Sequence, residues 1–281
     1  MKIKHLLCFI ALCLFFTPGK AQQLSVMTLR NGATVYIWED KSKPDVFGMI
    51  AFKVGSVDDP EQYTGLAHYL EHVMFKGTQT IDALDWEKEK PIYEKIIAKY
   101  DERAALSDPA AREAIDKEIN DLTREAAQYA AGNEFSLLVD HMGGQGLNAS
   151  TGYDQTEYHN SFPPSQLEKW LEIYSERLID PVFRGFQTEL EAVYEEYNMY
   201  NDDRGSRMRE FIYEQAFGDH PYARPIIGLP EHLKNPQLSK LIDFYNTWYG
   251  PQNMSIILVG NIDAKEAIPM IRDKFERVPP V

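Results

Sequence analysis

Between residues 65 and 72 the chain reads Gly-Leu-Ala-His-Tyr-Leu-Glu-His, and no other stretch constrains the fold as strongly. His68 and His72 are four residues apart, so a helix through them stacks both imidazoles on one face. Two imidazole nitrogens at that spacing can grip one metal ion, and Glu71 follows His68 closely enough to work on a water held by that ion. Leu66, Tyr69, Leu70 and Val73 give the same helix an apolar surface for packing into a core. Thr64 is expected to cap the helix and Gly77 to end it.

A catalytic zinc usually takes three protein ligands and leaves a position for water, so a third ligand must come from elsewhere. Cysteine is not available for it. Cys8 and Cys13 both fall in an N-terminal stretch where Lys2 and Lys4 precede the apolar run Leu6 to Phe16, followed by Gly19-Lys20-Ala21. This pattern predicts a secretory signal peptide over 1–21, cleaved after Ala21, and a mature chain 22–281 exported to the periplasm or secreted. The apolar run is too short for a stable membrane span. The mature chain then holds no cysteine, which excludes disulfides and thiolate ligands and leaves His, Asp or Glu. Losing Lys2, Lys4 and Lys20 takes the formal charge from −14 to −17, which argues against nucleic acid and anionic lipid headgroups as partners.

Hydrophobic periodicity sketches the rest. Leu24 to Arg30 and Ala33 to Trp38 alternate around Asn31-Gly32, a hairpin signal, and Val46 to Val54 reads as a more buried strand. Residues 82–136 change character: Ile92, Ile96 and Tyr100, then Ile115, Ile119, Leu122, Ala126 and Tyr129, recur at helical spacing on either side of Ser107-Asp108-Pro109, a cap with Pro at the first helical position. This predicts a helical hairpin inserted between the motif and the next strands. Leu147 to Thr151 and Thr156 to Phe162 read as paired strands, and helices are expected over Leu167 to Ile179, Gln187 to Asn201 and Ser206 to Phe217. Residues 219–230 read as loop, Leu238 to Tyr249 as a helix, Met254 to Val259 as a buried strand and Ala264 to Phe275 as a last helix. The order implies an α+β domain, a layered antiparallel or mixed sheet covered by helices.

The helix over 187–201 offers Glu189, Glu191, Glu195 and Glu196 as candidates for the third ligand. Glu189 and Glu196 are seven apart and share a face. His141, His159, His220 and His232 each lack a partner at helical spacing and read as loop or packing residues.

Taken together, Gly65 to His72 with Phe75-Lys76-Gly77-Thr78, Leu147-Asn148-Ala149-Ser150-Thr151, Glu189-Leu190-Glu191-Ala192-Val193-Tyr194-Glu195-Glu196 and Asn253-Met254 through Gly260 resemble the N-terminal domain of the pitrilysin/insulysin-type zinc metalloendopeptidases, the inverzincins, which include the mitochondrial processing peptidases. The resemblance spans nearly all of the mature chain. It implies one Zn2+ per chain held by His68, His72 and Glu196 (Glu195 being the rival for the last place), with Glu189 supporting a ligand histidine from behind. Asn148 and Ala149 map to the edge strand along which an extended peptide would be bound through its backbone. Glu71 would be the general base. The family also pairs this domain with a related second half that contributes an Arg/Tyr pair, so a C-terminal half or a partner chain is expected. The insertion at 82–136 separates the motif from the distal glutamate more widely than the family does.

The reading that follows is a zinc endopeptidase acting on extended or unfolded peptides. An alternative of another kind is a non-catalytic zinc-bearing subunit that pairs with a related chain. The intact Glu71 favours the first; the expected second half favours the other.

Overall fold

The computed structural model describes residues 23–281; the signal peptide expected over 1–21 lies outside the described residues. Six strands form one mixed sheet, in the spatial order Gln23–Thr28, Thr34–Glu39, Met254–Gly260, Val46–Phe52, Thr156–Phe162, Gln145–Thr151. β1 (Gln23–Thr28) and β2 (Thr34–Glu39) make the antiparallel hairpin expected around Asn31-Gly32. The Asn31 side chain donates to the carbonyls of Phe275 (2.8 Å) and Val278 (3.2 Å), tying the turn to the end of the last helix. β3 (Val46–Phe52) runs antiparallel to β5 (Thr156–Phe162), which pairs antiparallel with the edge strand β4 (Gln145–Thr151). β6 (Met254–Gly260), the last strand in sequence, slots between β2 and β3, parallel to the first and antiparallel to the second.

Strict alternation puts Val35, Ile37, Val46, Ile50, Phe52, Tyr158, Phe162, Ile256 and Leu258 on one buried face, which the helices cover. Trp170 presses so closely on this face that a Cβ at Gly48 would lie 2.5 Å from its ring, which is why β3 carries a glycine there. The Trp170 indole donates to Asn160 Oδ1 (2.8 Å), as does the Tyr174 hydroxyl (2.7 Å), so the amide of a central strand is satisfied inside the core.

The motif helix, α1 (Leu66–Val73), is short and largely buried. Its start differs from the expected Thr64 cap. Gly65 is the residue preceding the helix, at φ 89°, and a Cβ there would meet the Ile227 carbonyl at 2.5 Å. The first amides are taken by Asp59, whose carboxylate accepts from Gly65 N (2.7 Å) and Ala67 N (2.9 Å). Thr64 Oγ1 is occupied elsewhere, by Leu229 N (2.9 Å) and His232 Nδ1 (2.8 Å). Gly77 lies beyond the helix end, in the turn whose carbonyl accepts from Val182 N.

α2 (Trp86–Ala105) and α3 (Pro109–Ala126) form the helical hairpin over the region marked by Ile92 to Tyr129, with Asp108 capping α3 and Pro109 at its first position. A bridge between Ala83 and Ala130 closes its base. α4 (Glu134–His141) has no counterpart among the expected helices. α5 (Leu167–Glu176), α6 (Phe186–Asp202), α7 (Arg204–Phe217), the four-residue α8 (Pro230–Leu233), α9 (Leu238–Trp248) and α10 (Ala264–Phe275) complete the layer. No helix among the described residues is long and apolar enough to cross a membrane.

Candidate metal centre

α1 and α6 pack through Tyr69 and Phe186, whose rings are 4.8 Å apart; the Tyr69 hydroxyl also donates to the Phe186 carbonyl. Leu190 and Val193 bury one side of α6. That contact turns the polar face of α1 toward Glu189 and Glu196. The His68 and His72 rings lie 4.8 Å apart, inclined at 70°. Glu196 Oε2 is 3.6 Å from His68 Nε2 and 3.5 Å from His72 Nε2. Each of the three offers a ligand atom within 4.8 Å of the others, and no other such group occurs among the described residues.

These separations are long for hydrogen bonds but suit ligands that share an ion. Atoms bound at roughly 2.0–2.1 Å to a tetrahedral zinc lie about 3.4 Å from one another. Two imidazoles and a carboxylate, without sulfur, are a donor set that zinc accepts. The residues present therefore fit the metal that the motif implies.

Burial, with the neighbouring His72 adding to it, pushes the His68 pKa down to about 4, so its ring is neutral and ready to donate a lone pair. Its Nδ1 is buried and has no hydrogen-bond partner among the described residues. Burial also works against a charge on His72, but Glu189 and Glu196 outweigh it and raise the ring to about 9. At 3.5–3.6 Å the two carboxylates act on that ring as adjacent charges rather than through formed hydrogen bonds. His72 holds the Glu196 carboxyl down to about 2, against burial and helped by His68 and the Tyr200 hydroxyl.

Glu189 stands behind His72, its Oε2 3.6 Å from Nδ1 and its Oε1 2.5 Å from Lys76 Nζ. Glu71 accepts a 2.5 Å hydrogen bond from Thr151 Oγ1 on β4. Burial raises its pKa, and that hydrogen bond opposes the rise. A cavity of about 460 Å³ opens over the centre, lined by His68, Glu71, Ala149, Thr151, Glu196 and Tyr200 among others. Ala149 is thus beside the cluster. Asn148 alternates to the opposite side of β4, exposed, across from His159. His141, His159, His220 and His232 lie outside the cluster.

Three partners escaped the sequence reading. Tyr200 is four residues after Glu196 and was recoverable from helical spacing. Lys76 and Thr151 both sit in quoted segments, but nothing local marks the first as a partner of Glu189 or the second as a partner of Glu71.

Residues 34–90 and 122–229 match the profile of the insulinase family, peptidase family M16. Residues 237–281 match a profile described as the peptidase M16 inactive domain. The chain belongs to peptidase family M16. The unmatched stretch between 90 and 122 takes in most of α2 and the first part of α3. The probable zinc protease PqqL of Escherichia coli (strain K12) is 25% identical over 270 residues, 92% of this chain and 23% of PqqL. A crystal structure of a protease from Helicobacter pylori has a TM-score of 0.71 at 22% identity, covering 92% of this chain and 51% of that one. The first half of the periplasmic protease PqqL from Escherichia coli has a TM-score of 0.68 at 25% identity, covering 92% and 47%. The chain spans from 23% to 48% of the length of such curated relatives.

Proposed function

We propose that this chain is the zinc-binding half of an exported metalloendopeptidase that hydrolyses extended or unfolded peptides. The observation that carries the proposal is the convergence of His68, His72 and Glu196 from two distant helices, with Glu71 on the same cavity wall. His68, His72 and Glu196 would hold one zinc per chain, and Glu189 would orient His72 from its Nδ1 side. Bound there, zinc would supply Lewis-acid chemistry, acidifying a water and polarising a scissile carbonyl. Glu71 takes up the water's proton and hands it to the leaving amine; its raised pKa suits a group that must both accept and release a proton. The substrate lies along the edge strand β4, held through the backbone at Asn148 and Ala149, so many side chains are tolerated.

A second, related half, on the same chain or a partner, encloses the substrate; this chain's limited share of its relatives supports that. Within this chain the metallopeptidase domain begins at Gln22 after removal of 1–21, with 82–136 as an inserted hairpin. Export rests on the 1–21 pattern, and the similar PqqL is a periplasmic protease.

Zinc stoichiometry paired with cleavage of an unstructured peptide library, with and without a chelator, tests the proposal on the chain alone and with a related second half. One zinc per chain and chelator-sensitive cleavage are expected. Zinc without cleavage in either arrangement would favour the non-catalytic subunit, and a chain that binds no zinc overturns both readings.

A further inference from the structure

Arg177, in the turn after α5, is 2% exposed, yet it has no carboxylate partner among the described residues. Its Nη2 donates to the Met74 carbonyl at 3.0 Å, and Nε and Nη1 find no hydrogen-bond partner among the described residues. The guanidinium lies instead over the rings of Phe135, Tyr158 and Phe75, at 4.3, 4.4 and 4.9 Å from their centroids. Removing a lone charge from water is costly, and stacking on ring faces offsets only part of that cost. An apolar side chain of similar volume would fill the space without that penalty, so packing alone does not account for an arginine here.

Its single hydrogen bond shows where the cation acts. Met74 closes α1, its amide bonded to Leu70 O, and a positive charge at a helix C-terminus opposes the helix dipole favourably. The turn beyond is gripped a second time, by Arg184 Nη1 on the Lys76 carbonyl at 3.2 Å. From that turn Lys76 Nζ reaches Glu189 Oε1, and Glu189 Oε2 faces His72 Nδ1. A chain of contacts therefore runs from Arg177 through Met74, Lys76 and Glu189 to the back of a ligand histidine.

We propose that Arg177 is a positioning residue for the metal site: it pins the end of α1 and the turn carrying Lys76, and so fixes the orientation of His72. The inference rests on reading His68, His72 and Glu196 as zinc ligands.

The test compares wild type, Arg177→Met and Arg177→Lys by zinc competition against a chromophoric chelator, by the visible spectrum of the cobalt-substituted protein, and by circular dichroism with thermal melting. Methionine fills the site without charge, so this variant should fold and melt at or above the wild-type temperature. It should bind zinc about tenfold more weakly or worse and show an altered cobalt spectrum, which a purely structural role would not produce. Lysine keeps a cation near Met74 but loses the planar fork, and should recover part of the affinity. A folded Arg177→Met chain with wild-type zinc affinity and cobalt spectrum overturns the proposal. Should that variant fail to fold, Arg177→Lys decides alone: a loss of about threefold or more supports it, and an unchanged affinity and spectrum overturn it. A wild-type chain that binds no zinc sinks the site assignment itself, whereas a zinc-binding wild type with indifferent variants sinks only the role of Arg177.

Discussion

α1 and α6 meet at the candidate metal centre but are built on opposite terms. α1 has eight residues, six of them buried, and its chemistry is packed into one turn and a half. α6 has seventeen residues, of which only Phe186, Leu190 and Val193 are buried, and four acids crowd one stretch of it. Burial on α1 leaves a single direction for His68 and His72 to face. On α6 the half-exposed surface leaves direction open, and the packing partner decides which acids matter. Glu189 and Glu196 turn toward α1, while Glu191 and Glu195 line a different cavity beside Arg103. A chemical motif is thus self-orienting on a buried helix and context-dependent on an exposed one.

The comparison breaks most visibly at Glu196. Glu196→Ala should weaken zinc binding by more than about a hundredfold, beyond the range seen for residues that only support a ligand. Glu195→Ala should leave zinc affinity within about twofold, because the residue faces away. Equal losses from the two, read by chelator competition, would mean that spacing on α6 does not select the ligand. On α1 the roles separate instead: Glu71→Gln should keep the metal and lower turnover of a fluorogenic peptide by about 10²–10⁴-fold. Normal cleavage by that variant would remove Glu71 from the chemistry. A smaller effect, about tenfold in turnover with zinc unchanged, is expected from Thr151→Val, which deletes a charge-assisted hydrogen bond.

Much of this was legible from the residues because it is local. The period-2 strands, the Asn31-Gly32 hairpin, the Asp108-Pro109 helix start and the last helix over Ala264 to Phe275 all follow from short-range patterns. The i, i+4 histidines needed only a helix. What stayed hidden is tertiary. The cap of α1 comes from Asp59 across a loop, although Thr64 satisfies the local rule for a cap; Thr64 is drawn off by His232 and Leu229, which are far away in sequence. Thr151 and Lys76 acquire their roles only once β4 and the turn after α1 approach Glu71 and Glu189. α4 was missed because its eight residues sit between a glycine-bearing loop and the sheet, too short for its period to stand out.

Asp59 gives the smallest predicted effect, and the one that depends on pH. Burial pushes its pKa from 3.8 up to about 7, against the two amide hydrogen bonds that favour the charge. The folded chain therefore holds this proton more tightly than the unfolded one. The stability it contributes is fully present below about pH 4 and is lost as pH rises through about 7. Asp59→Asn, which cannot ionise, should show a shallower fall of the urea midpoint between about pH 5 and pH 8. Parallel curves for variant and wild type would show that Asp59 is already charged at low pH in the folded state.

Anomalous diffraction at the zinc edge, on crystals grown with the metal, tests the meeting of α1 and α6 on one ion most directly. A single strong peak is expected about 2 Å from His68 Nε2, His72 Nε2 and a Glu196 oxygen together. A peak that touches the two histidines but leaves Glu196 out of reach, or no peak at this site, would contradict the account.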